Sequence, residues 1–381
     1  MSLPRLKEPM LPSHLRKFTK LYTSYGLGAV KNIWLLVCLL QLGRTVNLNK
    51  LKDYVGGLLP QSKASPNSHY KRLIRFFQKW SKDFGLRHSL MQLNVSLLQK
   101  LGFKYLVLDG TSWQMGQDKV HYLVLSVLAG PVAIPIYWVQ LEKLGSSNQE
   151  ERQAMFEQAF TLFDLRGMIL LADREYIGQQ WFKFLKNSGL NFVIRLRWAD
   201  YYEQVDSQGG LSYEQMAQRC VDRQKLLKKR ITLQGQQYSL LMMPNPKVGA
   251  DEPVLIFLTT LPPTKRTANL YAKRWKIECL FKHLKSNGYH LEDLNLKDPD
   301  KHCLMMTMVS IAYVLAIQEG TKRLPNIPIQ TYRDGSKTLE ISIFREGLAH
   351  LTAICFSLTR FLTHVIALLK PRRLDWIKNV Q

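Results

Sequence analysis

Two short apolar runs end on an aspartate, and that limits the chain more than anything else in it. Residues 103–108 (FKYLVL) are apolar apart from Lys104 and stop at Asp109-Gly110-Thr111, while residues 168–172 (MILLA) stop at Asp173. A run without polar alternation suits a strand buried on both faces, as in a sheet covered by helices. Around these runs, residues 120–128 and 132–139 read as two further strands, parted by Ala129-Gly130-Pro131. Ser147-x-x-Glu150 reads as a capping box that opens a helix to about Phe163. Residues 177–187 form the next helix, stopped by Gly189, and 191–197 the next strand. The order is three strands, helix, strand, helix, strand. In such an α/β sheet, residues at strand carboxyl ends face the ligand crevice. A lone strand-end Asp is an ordinary cap or turn residue. Two of them, on strands that this order can set side by side, are less ordinary.

The flanks differ. Residues 1–100 read as helical and basic: 33–42 is a short apolar helix, 48–55 a second, and 59–66 a turn-rich connector. Residues 68–80 carry Tyr70, Leu73, Ile74, Phe77 and Trp80 at helical spacing, with His69, Lys71, Arg72, Arg75 and Lys79 on the other faces. Two short helices, a turn and a basic amphipathic helix are compatible with a helix-turn-helix-like DNA reader, and with many other small bundles. From 199 to 253 the pattern is interrupted by Gly209-Gly210, Gly235 and Pro244-Asn245-Pro246, which punctuate strand-like runs at 229–233 and 238–243. The basic run 225–230 there suits either DNA contact or a lysine-guarded sheet edge. Residues 254–258 read as a strand returning to the main sheet, and 302–381 as mainly helical (303–319, 348–369), ending in the basic stretch 370–373.

The charge balance names a class of partner. The 381 residues carry 53 Lys+Arg against 29 Asp+Glu, a net +24. An excess of that size repels itself in a compact state unless a polyanion neutralises it, so nucleic acid is the first expectation and an anionic membrane surface the second. Five scattered cysteines, without CxxC or a histidine cluster at zinc spacing, fit buried free thiols in a reducing compartment. The longest apolar stretch, 304–317, is shorter than the roughly 20 residues of a spanning helix, and no secretory signal is visible. A cytoplasmic, polyanion-binding protein with no membrane segment is the expectation.

A further stretch, 270–288 (LYAKRWKIECLFKHLKSNG), concentrates polar chemistry. At about 100° per residue, Tyr271, Arg274, Glu278 and Lys285 fall within a stripe about 60° wide, beside a buried face made by Leu270, Ile277, Leu280, Phe281 and Leu284. Lys282 borders the stripe, and Trp275 lies just outside it, where packing is expected. Taken alone, a solvated helix face explains these charges more simply than a site. Two-metal phosphodiester chemistry, however, needs carboxylates converging from separate elements, with hard oxygen donors for Mg²⁺ or Mn²⁺. Asp109, Asp173 and Glu278 meet that need if both strands and this helix pack together. Arg195 and Arg197, on one strand face, would line a DNA groove. Arg174 and Glu175 would orient the site or, as expected here, cap the following helix.

With these residues in place, the chain resembles the DDE transposases of bacterial insertion sequences. The likeness is to the cut-and-paste group called family four, marked by Tyr-x2-Arg-x3-Glu-x6-Lys. Tyr271, Arg274, Glu278 and Lys285 match every position, and LVLDGTSW and LLADREY look like its first and second acidic regions. The resemblance implies a ribonuclease-H-like core in two parts (101–198 and 254–301), split by a β-rich insertion (199–253). A helical DNA-binding region (1–100) would precede it and a helical region (302–381) follow it. It also implies Asp109, Asp173 and Glu278 as ligands of two Mg²⁺ ions, with Mn²⁺ able to substitute. Tyr271, Arg274 and Lys285 would grip a phosphate beside a flipped base, and Lys282, Lys71, Arg72 and Arg75 would be further DNA contacts. The partners implied are terminal inverted repeats, target DNA and a second copy of the chain. Relatives commonly carry a stacking Trp on the strand before the signature helix; here the run is Glu252-Pro253-Val254-Leu255. The platform is absent, supplied by Phe257 or Trp275, or replaced by exclusion. Two other readings stand beside the transposase: a catalytically silent DNA-binding regulator derived from one, and a nuclease on the same core, which leaves the stripe unexplained.

Overall fold

The computed structural model describes residues 13–60, 62–97, 103–115, 118–198, 200–247 and 250–369. The described residues divide into two compact units, one within 102–111 and 121–279, the other within 1–101, 112–120 and 280–381.

The first unit holds all but the β1–β2 end of an eight-stranded sheet of β1 (Tyr105–Met115), β2 (Asp118–Ala129), β3 (Val132–Leu141), β4 (Ile169–Ala172), β5 (Asn191–Leu196), β6 (Leu227–Leu233), β7 (Gln236–Pro244) and β8 (Val254–Thr259). The strand order is β3-β2-β1-β4-β5-β8-β7-β6. β1, β4 and β5 pair in parallel at the centre, and the outer neighbours β2/β3, β5/β8, β8/β7 and β7/β6 are antiparallel. Leu106, Val107 and Leu108 on β1 and Leu170, Leu171 and Ala172 on β4 are completely buried, which accounts for their unbroken apolar runs. Helices Gln149–Leu162 and Gln179–Asn187 make the crossovers that bring β4 and then β5 back alongside. This is a mixed α/β fold with the strand order of a ribonuclease-H-like core in β1 to β5.

The interruption at 199–253 holds as much helix as strand: Tyr202–Asp206 and Tyr213–Arg223 precede β6 and β7. The two strands extend the main sheet through β8, with β6 on the edge. Lys228 and Arg230 point out to solvent while Ile231 and Leu233 turn inward, so the charges guard an open edge. Lys229 is committed inside the unit, donating to the carbonyls of Val205 (2.7 Å) and Leu211 (3.0 Å).

The second unit is helical: Ser13–Gly43, Leu48–Leu58, Pro66–Trp80, Phe84–Leu97, Pro299–Arg323, Ile343–Ile354 and Leu358–Leu369, with an exposed hairpin at Ile329–Thr331 and Lys337–Leu339. The expected 33–42 helix is the end of a longer one that breaks at Gly26 (φ 76°, ψ 165°). Helix Pro299–Arg323 is buried at every residue from 304 to 317. It meets Ile343–Ile354 backbone to backbone. A Cβ on Gly320 would collide with the carbonyl of Ile343, and one on Gly347 with that of Ala316. Segments 20–43 and 299–326 are long and apolar enough to cross a membrane by composition alone, and both are mostly buried in the protein. Three of the five cysteines, Cys38, Cys220 and Cys355, are buried; Cys279 is exposed, which the sequence reading did not anticipate. The basic stretch 370–373 lies outside the described residues.

Candidate active site

Parallel pairing of β1 with β4 sets Leu108 opposite Ala172. The next residue on each strand is an acid, so register alone makes Asp109 and Asp173 neighbours. Asp109 is not at a strand end as expected, because β1 continues to Met115. It lies where β1 runs past the end of the short β4. Asp173 leaves β4 into a turn closed by the N–H of Tyr176 donating to the Asp173 carbonyl (2.9 Å).

The third acid arrives on the segment after β8. Thr264 caps helix Lys265–Asn269 through the N–H of Thr267 (3.2 Å). The chain then tightens into a 3-10 stretch, Leu270–Trp275, before relaxing into the α-helix Lys276–Lys285. The even α-helical stripe expected over 270–288 is therefore corrected: its first part is a tighter coil. Ile277 is fully buried, and the Tyr271 ring packs on Phe257 of β8 at 5.1 Å. The division between the two units falls inside helix Lys276–Lys285, so Tyr271, Arg274 and Glu278 belong with the sheet.

These elements converge on one guanidinium. Arg274 donates from Nη1 to Asp109 Oδ2 (2.9 Å) and from Nη2 to Glu278 Oε1 (2.7 Å), and its Nη2 lies 3.7 Å from Asp173 Oδ2. The Tyr271 hydroxyl donates to Asp173 Oδ1 at 2.8 Å. Arg274 is 13% exposed and Asp109 17%, while Asp173 (30%) and Glu278 (34%) open the cluster to water on one side. A buried cation among three acids stabilises each of them, and removing it would leave uncompensated buried charge.

The two strand acids differ in protonation. Burial pushes Asp109 up to about 6, against the pull of Arg274 and of the Gly110 N–H, with Asp173 and Glu175 adding to the rise. Asp173 is also penalised by burial, yet the Arg174 N–H, the Tyr271 hydroxyl, Arg274 and Arg195 together hold it below the usual carboxylate range. Burial, helped by the neighbouring Asp173, raises Tyr271 to about 12, so its hydroxyl stays a donor. Burial works against the charge on Arg274, but Tyr271 and the three acids outweigh it and raise its pKa. Neighbouring carboxylates with pKa values pushed apart are an arrangement typical of active sites.

The divalent metal implied by the resemblance can be tested against this donor set. Among the described residues, no three His, Cys, Asp or Glu side chains close around a point that could hold a metal ion. The position where the carboxylates converge is taken by the Arg274 guanidinium, itself a cation held by three hard oxygen donors. The donor chemistry fits a divalent ion, provided Arg274 withdraws.

Other candidate residues fall elsewhere. Arg195 Nη2 reaches Glu252 Oε2 at 2.5 Å, and Arg174 Nη1 reaches Glu252 Oε1 at 2.8 Å. Arg174 is thus bound to a carboxylate rather than capping the next helix, whose N-cap Gly178 makes no side-chain bond. Arg197 lies just past β5, exposed, its N–H donating to Asp200 Oδ2 (2.6 Å). In the helical unit, Lys285 pairs with Glu292 (3.1 Å), and Lys282 is exposed. Lys71 and Arg75 are exposed on helix Pro66–Trp80, whereas Arg72 donates to Asn32 (2.8 Å). Phe257 is 1% exposed and cannot offer a face to a base, while Trp275, expected to pack, is 63% exposed. Sequence reading missed Glu252 as the partner of two arginines; an acid before an unremarkable strand carries no local signal.

A family model described as "Transposase DDE domain" matches residues 104–315. A piggyBac transposase synaptic complex with hairpin DNA, solved by cryo-EM, aligns with 99% of this chain and 79% of its own at TM-score 0.49 and 10% identity. No curated protein matches the chain.

Proposed function

Since the chain belongs to the transposase DDE domain family, whose model spans more than half of it, we propose that it is a DNA transposase of the cut-and-paste kind. It binds the terminal inverted repeats of its element, excises the element by Mg²⁺-dependent phosphoryl transfer through a hairpin intermediate, and joins the 3′ ends to target DNA. The observation that carries this reading is the convergence of Asp109, Asp173 and Glu278, from two strands and a helix, on one cation. A protein that only binds DNA has no chemical need for three acids converging on one point.

DDE transposase domains generally use divalent metal ions, and in this chain Asp109, Asp173 and Glu278 are the ligands. Mg²⁺ is the ion proposed, with Mn²⁺ able to replace it. When bound, the ions supply Lewis-acid activation of a water or 3′ hydroxyl and stabilisation of the leaving oxygen. The chain's own residues do the rest. Tyr271 donates to Asp173 and fixes its rotamer. Arg274, released from the acids, is free to donate in pairs to a phosphate, as guanidinium groups do. Lys285 and Lys282 are further phosphate contacts within the helical unit, and Arg195 and Arg197 offer further cations beside the sheet. Trp275, exposed next to Arg274, is the aromatic available to stack on a flipped base in place of the missing strand Trp. Lys71 and Arg75 give the helical unit an exposed basic face for duplex DNA. Two ends cut in concert call for a homodimer bridging them, and the cytoplasm is the site of action.

The test is incubation of the purified protein with Mg²⁺ and DNA carrying its cognate terminal repeats. Cleavage followed by strand joining is expected, and Glu278→Gln should abolish both while leaving end binding intact. Binding without cleavage by the wild type would point to a silent regulator, and nicking without joining to a nuclease. A Glu278→Gln protein that cuts at the normal rate would remove Glu278 from the site.

A further inference from the structure

Burying a guanidinium without a carboxylate is costly, and Arg152 is buried in this way. It is 4% exposed, in the first turn of helix Gln149–Leu162. Among the described residues, no carboxylate comes within ion-pair distance of it. Its donors go instead to backbone and to a hydroxyl. Nη2 donates to the carbonyl of Glu175 (3.0 Å), Nη1 to that of Ile177 (3.2 Å), and Nε to Ser147 Oγ (2.9 Å). Nη2 also donates to the carbonyl of Ser147. The guanidinium carbon lies 5.1 Å from the centre of the Tyr176 ring.

Two of these acceptors belong to the turn that begins at Asp173. That turn is closed on one side by the Tyr176 N–H to the Asp173 carbonyl, and Arg152 holds its other side through Glu175 and Ile177. The same helix adds a second stitch, Gln149 Oε1 accepting from the Trp181 N–H at 3.0 Å. Tyr176, fully buried against Arg152, reaches under the other strand acid: a Cβ built on Gly110 would stand 3.3 Å from its hydroxyl oxygen. A single side chain therefore braces the turn carrying Asp173 and the ring beneath the backbone next to Asp109.

We propose that Arg152 is a positioning residue that fixes the separation and aim of Asp109 and Asp173 before metal arrives. The inference rests on the reading of those acids as metal ligands. The planar fork joins two carbonyls of the turn, those of Glu175 and Ile177, to the carbonyl of Ser147, which a lysine ammonium on its flexible stem cannot match. The cost of its burial is offset by hydrogen bonds that a charged donor makes strong.

The test is Mn²⁺ binding to the full chain without DNA, by isothermal titration, well below each variant's melting temperature. Arg152→Lys and Arg152→Met are compared with wild type and with Leu185→Ala, which truncates a buried leucine of helix Gln179–Asn187. Both Arg152 variants should lose about 10- to 100-fold in Mn²⁺ affinity, the range for partners that orient metal ligands, while Leu185→Ala melts earlier but keeps wild-type affinity. Should Arg152→Met fail to fold, Arg152→Lys carries the test. Wild-type affinity in the Arg152 variants, or an equal loss in Leu185→Ala, overturns the proposal and leaves the metal reading standing. A wild type that binds no Mn²⁺ removes the metal reading, and this inference with it.

Discussion

Replacing Asp109 with asparagine should stabilise the metal-free protein at pH 8 while abolishing its chemistry, and the gain should depend on pH. The side chain is 17% exposed, and burial lifts its pKa from the usual 3.8 to about 6. At about 1.4 kcal/mol per pH unit, keeping it ionised at neutral pH costs the folded state about 3 kcal/mol. Asparagine has nearly the same shape and carries no charge, but it weakens the bond from Arg274, which keeps Glu278 and Asp173. A net gain of about 1–2 kcal/mol at pH 8 follows. The sign of the pH dependence comes from proton uptake. Because the folded pKa is raised, the native wild type takes up a proton between about pH 6 and pH 4 that the unfolded chain does not. Wild-type stability contributed by this group therefore rises as pH falls through that window, and the variant has no such term. Urea denaturation in EDTA at half-unit steps from pH 5 to 8, followed by the fluorescence of the buried Trp138 and Trp181, reads the difference. The variant's advantage should be largest above pH 7 and shrink steadily below 6. An advantage of the same size at pH 5 and pH 8, or a variant that is less stable throughout, would refute the reasoning.

Three further substitutions probe the same ion network. Arg274→Gln removes the shared cation, so the metal-free protein should lose about 3–5 kcal/mol, with part of the loss recovered on adding Mn²⁺; a melting curve in EDTA that matches wild type would contradict this. Tyr271→Phe deletes the donor to Asp173 and should cost about 1.5–3 kcal/mol; it should also let the Asp173 carboxyl rise, seen as a carbon-detected NMR titration moving to higher pH. Glu252→Gln unties Arg174 and Arg195, so affinity for duplex DNA should increase and the salt dependence steepen by about one to two phosphate contacts. The same change at the exposed Glu203 should do much less, and equal effects at the two positions would show that only net charge matters.

The site could be read from sequence wherever one strong constraint acted alone. Burial on both faces forces unbroken apolar runs, which is why Leu106–Val107–Leu108 and Leu170–Leu171–Ala172 announced strands and pointed to the acids after them. Features set by competition between interactions were less visible. The helix before β4 was expected to start from Ser147, but Asn148 makes the capping box with Glu151, leaving the Ser147 hydroxyl and carbonyl to Arg152. Nothing in the spacing of Arg152 separates it from a surface arginine, because its role depends on a turn far along the chain. Helix Phe84–Leu97 was not delimited within the helical region 1–100 for a similar reason: its polar Arg87 and Asn94 are buried, bonded to Asp300 and Ser310, and blur its periodicity. Trp275 was expected to pack by hydrophobicity, yet the 3-10 coil turns it outward.

That coil changes what the signature spacing means. A 3-10 helix repeats every 3.0 residues and an α-helix every 3.6, so a step of three brings a side chain back into line in the first and a step of four nearly does so in the second. Tyr271 and Arg274 are three apart within the 3-10 stretch, and Arg274 and Glu278 are four apart across its junction with the α-helix. The intervals in Tyr-x2-Arg-x3-Glu are thus a phase code for two successive kinds of winding. Rewinding residues 270–275 as α-helix would turn Tyr271 away from Arg274 by roughly 60° and shorten the stretch by about 3 Å, without altering a single side chain. The spacing therefore specifies a backbone pitch as much as three residue types, and a chain that kept the letters but lost the pitch would lose the cluster.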